Sequence, residues 1–407
     1  MTVTLEETER AEVREELQLS VRRLLHRWAG RTDVNALLRT GDAAEAGLPH
    51  DPALWQDMAD LGLLALLVPD DDGEPPATAA EVAVVLTELG RGLVPSPYLS
   101  SALLVPSAIL RGGRREVAER YLPGLTTGAV LGAVAFGDAG RPLPTTVRRE
   151  GDTLVVGGTV DFVLDLGSAS VCLVAGVLDG AGVVFAVDLP ADGARVEVRR
   201  MHDVTRSVGR LVLDDVRVDA SAVVADGVDA DEVVSLVREL GAIGLAADSL
   251  GVAESAMEAA VAYAGQRRQF GRAIGSFQAV KHLCVDMFVS VEAGREALKI
   301  AMGAADRGSG AADLAHAASV AKAQLGEPAV AVARSCIQVH GGIGFTWEAV
   351  PHRYLKRLLL NDALFGDTRW HRRRVARAAL GAVPGGDAAG DPRSSSMVAD
   401  GVGGSPR

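Results

Sequence analysis

The hydrophobic period of this 407-residue chain changes twice, from helical to alternating and back. That restricts the fold to helices, then a sheet, then helices. Val13, Leu17, Val21, Leu24 and Leu25 recur at helical spacing over residues 5–30. Asp51-Pro52 reads as a helix start, with Leu54, Met58 and Leu61 on one face and a stop near Gly62. Residues 63–69 form a short buried segment that Pro69 ends. The aspartates Asp70, Asp71 and Asp72 open a polar loop; consecutive residues converge poorly on one ion, so a solvated turn is expected there rather than a metal site. Helical patterns follow at 81–90, 99–110 and 116–122.

Short β-branched runs then take over, at 153–158, 170–175, 183–187, 196–198 and 210–213, with Gly, Asp and Pro between them at regular intervals. This is the pattern of a small antiparallel barrel or sandwich. From residue 231 the helical period returns, and four long helices are predicted over 233–263, 277–306, 312–340 and 350–380, as in a four-helix bundle. The expected class is α+β: an N-terminal helical domain over 1–128, a β-domain over 129–228 and a C-terminal four-helix bundle over 229–380. Residues 381–407 carry few large apolar groups and are expected to be a disordered tail.

Hydrophobic residues make up 48% of the chain and charged residues 23%, a soluble globular balance. The formal charge of -12, with no basic block, argues against nucleic acid and against an anionic membrane surface. No apolar run approaches the ~20 residues that span a bilayer. The acidic N-terminus has no signal-peptide pattern, so a cytoplasmic protein is expected. Cys172, Cys284 and Cys336 are far apart in apolar runs, and read as reduced, buried small residues rather than metal ligands.

Two stretches carry the chemistry, each at the end of a helix pattern. In the first, residues 263–278, Arg267, Arg268 and Arg272 crowd Phe270 and Gly271. Alone it fits a cationic helical hairpin as well as an anion site, since Arg offers phosphate a planar fork and Gly admits close backbone approach. The second reads Gln338-Val339-His340-Gly341-Gly342-Ile343-Gly344-Phe345-Thr346-Trp347-Glu348. Arg-x-x-Phe-Gly, Phe-Gln and Gln-x-x-Gly-Gly, in this order and spacing, resemble the acyl-CoA dehydrogenase family, and the resemblance extends over roughly residues 8–380. It implies that Arg267, Phe270, Gln278, Gln338, Gly341 and Gly342 grip the pyrophosphate and adenine half of an FAD whose ring sits mainly in a neighbouring subunit.

The family oxidises an acyl-CoA thioester to its trans-2-enoyl form: a carboxylate removes the α-proton and the flavin takes the β-hydride. The resemblance places that carboxylate at Phe365 or, as in some members, at Gly241, and neither can accept a proton. Asp367 and Glu239 each lie two residues away, ~200° around a helix, so each points away. A local shift could bring Asp367 in; otherwise it is a helix N-cap. Glu348 is the third candidate base for a self-sufficient homo-oligomer. The family's Thr-Glu-Pro, Gly-Ser-Asp and Lys-x-Trp-Ile-Thr segments, which contact flavin and substrate, have no match at 136–142 or 159–165. Residues 203–206 and 365–371 instead resemble the unlike subunits of heterotetrameric actinobacterial members. The leading expectation is thus a base-deficient partner subunit that completes an FAD site across an interface, with acyl-CoA as substrate and an electron-transfer flavoprotein as the family's usual acceptor. The alternatives are the homo-oligomeric dehydrogenase and a non-redox acyl-CoA-binding or scaffold subunit. His340 is expected to pack or bond backbone, and the cluster from His371 to Arg374 to form a helix-end or inter-subunit face rather than a CoA phosphate clamp.

Overall fold

The computed structural model describes residues 5–32, 50–69, 73, 75–306 and 310–381. Asp70 to Asp72 and the expected tail from 382 lie outside these residues.

The first helices are α1 (Leu5–Arg31), α2 (Pro52–Asp60), α3 (Ala79–Arg91), a π-helical turn over Leu99–Leu104 running into α4 (Val105–Gly112), and α5 (Arg115–Thr126). Local chemistry sets their starts. The Asp51 carboxylate accepts from the amides of Ala53 and Leu54, with Pro52 in the first turn. Thr78 and Glu81 form a capping box on α3, and Arg14 of α1 donates to the same Glu81 at 2.7 Å.

Eight strands follow: β1 (Gly132–Ala135), β2 (Thr145–Glu150), β3 (Thr153–Leu164), β4 (Val171–Leu178), β5 (Ala181–Asp188), β6 (Ala194–Arg199), β7 (Val208–Asp219) and β8 (Val223–Asp226). The expected antiparallel barrel or sandwich is corrected in two ways. The sheet is one path, β6-β7-β3-β2-β4-β5-β8, whose end strands do not pair, so no closed barrel is formed. It is also mixed, because β1 and β2 both run parallel to β4, against its first and second halves. The connection 136–144 must leave and rejoin the same edge of β4, and it loops out towards the C-terminal helices.

Those helices are α6 (Gly227–Gln266), α7 (Gln278–Asp306), α8 (Ala311–Leu325), α9 (Glu327–His340), α10 (Pro351–Ala363) and α11 (Thr368–Leu380). The third and fourth helices expected from sequence are therefore each broken in two. Gly326 leaves helical geometry and Pro328 opens α9. At 365–366 the backbone turns left-handed, with φ of 55° at Phe365 and 92° at Gly366. α6 is the longest element, and its middle, from Glu239 to Glu254, is buried throughout. Gly90 on α3 and Gly251 on α6 let the two backbones touch: a Cβ on either would collide with a main-chain carbonyl of the other helix, that of Asp248 or of Thr87.

Gly251→Ala should force α3 and α6 apart, because the obstacle is backbone and cannot rotate away. A loss of about 1–3 kcal/mol or more is expected, read as a lower urea midpoint. Ala at the uncrowded Gly265 should cost nothing measurable.

Candidate functional site

The two stretches singled out from sequence meet at one end of the helical bundle. α6 ends at Arg267, and Arg268–Gln269 pairs with Arg272–Ala273 in a two-residue hairpin. Phe270 and Gly271 form its turn with φ of 52° and 77°, both left-handed, as a tight hairpin requires. Phe270 is 92% exposed. Phe277 meets it edge to face at 6.1 Å and receives the Arg272 guanidinium at 4.1 Å. Tyr263 near the end of α6 stacks on His340 at the end of α9, 4.3 Å between centroids. The His340 Nδ1 lies 2.8 Å from the Cys336 carbonyl, so His340 packs and bonds backbone as expected. Arg267, Gln278, Gln338, Gly341 and Gly342 are all exposed around this junction. Trp347 is flanked by Lys356 and Arg353, with His352 at its edge.

The two candidate base positions touch each other. A Cβ at Gly241 would fall 2.5 Å from Cε1 of Phe365, so the Phe365 ring lies directly on Gly241. The segment that carries Phe365 is held on every side. Asp362 accepts from the Thr368 hydroxyl at 2.6 Å and from its amide at 3.1 Å. The Glu327 amide at the start of α9 donates to that hydroxyl at 2.8 Å. Lys322, fully buried, donates to the carbonyls of Asn361 and Asp362 at the end of α10. The His371 Nε2 lies 3.0 Å from the Phe365 carbonyl and its Nδ1 3.1 Å from the Ser319 hydroxyl.

The neighbouring carboxylates have other tasks. Asp367 caps α11, accepting from the Trp370 amide at 2.7 Å, and is exposed. Glu239 is buried in a two-bond pair with Arg374, at 2.7 and 3.1 Å. Glu348 is exposed at the far end, beyond the glycines. Arg372 pairs with Glu327 at 2.8 Å and the Arg374 guanidinium covers Trp370 at 4.7 Å.

Phe365 lines two adjoining cavities between the sheet and the bundle, of about 470 and 630 Å³. Their walls come from the 136–144 connection, α6, β3 and the 364–370 turn. Sequence reasoning missed one wall residue, Arg238. It lies one helical turn before Gly241 and so faces the same way, a spacing that could have revealed it.

Residues 11–129 match the family model for the acyl-CoA dehydrogenase N-terminal domain, and residues 237–380 that for the C-terminal domain. Acyl-CoA dehydrogenase IpdE2 of Mycolicibacterium smegmatis is 30% identical over 366 residues, covering 90% of this chain and 98% of that protein. The chain belongs to the acyl-CoA dehydrogenase family. Acyl-CoA dehydrogenase FadE34 of Mycobacterium tuberculosis is 34% identical over 89% of the chain but only 48% of its own length, so the chain spans about half of it. Among solved structures, a chain of the ChsE4-ChsE5 complex from Mycobacterium tuberculosis superposes with a TM-score of 0.78 at 27% identity, covering 93% of this chain and 99% of that one. The family is one of oxidoreductases. Among the described residues no group of His, Cys, Asp or Glu could hold a metal ion, and no helix is long and apolar enough to cross a membrane.

Burial, reinforced by Lys322, lowers the His371 pKa to about 3. The unfolded chain, with an ordinary histidine, therefore binds the extra proton first. This group's contribution to stability is complete above pH ~6.5 and falls as the pH drops from there towards 3. Unfolding free energies measured across that window should show His371→Gln less acid-sensitive than the parent, by up to roughly 1.4 kcal/mol per pH unit.

Proposed function

We propose that this chain is the base-deficient partner subunit of a heteromeric acyl-CoA dehydrogenase, completing with its exposed bundle end an FAD site whose ring lies in the other chain. The observation that carries this reading is the Phe365 ring seated on Gly241. Both positions where the family resemblance puts the base are spent on one apolar contact. The nearest acids are committed, Asp367 to a cap and Glu239 to Arg374. The likeness to a chain of the ChsE4-ChsE5 complex is in keeping with a partner of unlike sequence.

The two ends of the chain differ in their fit to FAD. At the bundle end, Arg267 offers forked donors to a pyrophosphate, and Gln278 and Gln338 offer amides. The ideal Cβ positions of Gly271, Gly341 and Gly342 meet no heavy atom within 4 Å, which leaves their backbone open to a ligand. These residues fit the adenine and pyrophosphate half. In the chain's own cleft, the wall segments 136–138 and 160–164 contribute Asp138, Asp161 and aromatic or aliphatic groups, with no side-chain donor for the anionic edge of a flavin. Asp161 is moreover paired with Arg210. Those two segments offer the ring no side-chain donor.

In this reading FAD supplies the hydride acceptor, and the partner chain supplies base and ring pocket. This chain's residues bind and orient: Arg267 neutralises phosphate charge, Gln278 and Gln338 fix the adenine half, and Phe270 covers it from water. The acyl-CoA thioester is the substrate of the assembled pair.

Flavin absorbance per chain tests the assignment. Expressed alone, the chain should be colourless; co-expressed with an adjacent family member, it should give about one FAD per pair of chains. Arg267→Ala with Gln338→Ala in this chain should weaken FAD retention by the pair about tenfold or more, since the charge-assisted Arg267 contact alone is worth ~1.5–3 kcal/mol. One FAD per chain in the protein alone, with turnover of an acyl-CoA, would sink the proposal.

A further inference from the structure

The geometry points to a separate ligand site in the cleft that Phe365 has closed to catalysis: the two cavities beside that ring bind a flat monocarboxylate, its carboxylate paired with Arg238 and its ring system among the aromatic walls. This goes beyond the partner-subunit reading and rests on its premise that the flavin ring does not lie in this chain's own cleft.

Arg238 is the first ground. It stands in the wall common to both cavities, with Arg141, Phe365 and Trp370. The other two wall arginines are matched, Arg141 by Asp138 at 3.6 Å and Arg374 by Glu239. Arg238 has no carboxylate in ion-pair range among the described residues. It gives one nitrogen, Nη2, to the carbonyls of Phe136 at 3.1 Å and Asp138 at 3.4 Å, while its Nε is buried without a partner. Leaving a guanidinium half-buried and unmatched is costly, and burial lowers the Arg238 pKa from its ordinary value. An anion against the cavity side of the guanidinium would offset its unmatched charge.

The aromatic walls are the second ground. Aromatics are only 4% of the chain, yet Phe136, Phe162, Phe365 and Trp370 all line the larger cavity. Two of them are held in a backbone conformation that bulky residues avoid, φ of 57° at Phe162 and 55° at Phe365. The β3–β7 register slips between Val160 and Val163, and this turns Phe162 to the mouth, where it is 54% exposed. Strain of this kind persists where the side chain's placement is used. Such walls favour a planar body over a branched or extended chain.

The charge balance sets the headgroup. One cation is unmatched, while Asp138, Asp161 and Asp367 surround the larger cavity and Asp231 and Glu239 the smaller. A phosphate dianion would meet more repulsion than it gains. A single carboxylate satisfies the fork of Arg238. The combined volume, about 470 and 630 Å³, is ample for a small ring-bearing acid.

Calorimetric titration tests this on the full chain, alone or in its co-expressed complex. The probes are 2-naphthoate and its neutral counterpart 2-naphthylmethanol. Naphthoate should bind at least tenfold more tightly than the alcohol. Arg238→Met should remove that preference, and Arg238→Lys should keep part of it. Equal binding of the two probes, no binding of either, or an unchanged preference in Arg238→Met overturns the proposal. The probe comparison on the unmutated chain stands even if Arg238→Met fails to fold. Release of flavin from the complex during the titration also overturns it, because the cleft would then be the flavin's own seat. The probe and variant outcomes leave unaltered the flavin stoichiometry that tests the partner-subunit reading, whereas flavin release would count against both.

Discussion

A buried cluster of charges holds the helices and the sheet in one arrangement. Asp248 in the middle of α6 takes two bonds from Arg357 of α10, at 2.7 and 3.0 Å, and one from Asn361 at 2.6 Å. Arg206, from the loop before β7, stands 3.1 Å from the same carboxylate. Arg357 also donates to the carbonyl and hydroxyl of Thr205, both at 2.8 Å. Asp165, at the end of β3, accepts from Ser100 at 2.7 Å and so includes the N-terminal helices. Burial alone would raise the Asp248 pKa; the two guanidiniums and Asn361 outweigh it and hold it well below the usual range. Asp165 goes the other way, pushed by burial to about 6. Two guanidiniums then face three carboxylates, Asp165, Asp203 and Asp248, and a proton on Asp165 makes the cluster neutral. Apolar groups of equal volume could fill the same space about as stably, but they would let α10 slide along α6. Donors and acceptors at fixed positions do not.

That fixed register decides what the cleft contains. Arg357 and Asn361 are one turn apart on α10, so the helix end two residues later is placed as firmly as the cluster. Lys322 closes that end, and the left-handed turn at 365–366 delivers the Phe365 ring to α6 at Gly241. The apolar contact at these two positions is therefore a matter of shape as well as chemistry. A side chain at 241 would need the ring to leave, and a ring at 365 needs 241 to be glycine. The small and large residues are complementary.

The sequence showed the elements more clearly than their partnerships. All five β-branched runs lie within or overlap β3 to β7, since their residues face a core on at least one side. β1, Gly-Ala-Val-Ala, lacks branched residues on most of its length, and β2 reads as polar because only Thr145 and Val147 are buried. Both were missed, and with them the parallel pairing that throws the 136–144 connection over the cleft. Pairing partners are a tertiary matter that no local period encodes. The break before Pro328 was visible as a proline, yet the apolar period runs on through it. In the site, counting from motifs located Phe365 and Gly241, and residue type alone made Asp367 a cap. That Phe365 and Gly241 touch needed coordinates. Asp248 did leave a signal, a lone acid in the apolar run from Leu245 to Leu250, but its partners lie 40 and more positions away in sequence.

The exposed bundle end gives the clearest physical sense of an unfinished surface. Phe270 is 92% exposed and Phe345 71%, with Ile343 at 46% and Trp347 at 43% nearby in sequence. Large apolar groups scattered singly are ordinary on a surface; several on one turn system, rimmed by Arg267, Arg268 and Arg272, form the kind of patch that another surface covers. The hairpin that carries Phe270 is locked by its own turn geometry and by the Arg272–Phe277 contact, so the ring's outward position is built in and not a result of fraying. An apolar contact at both candidate base positions, together with a far end stiffened to present cations and aromatics outward, is what gives the partner-subunit proposal its physical basis.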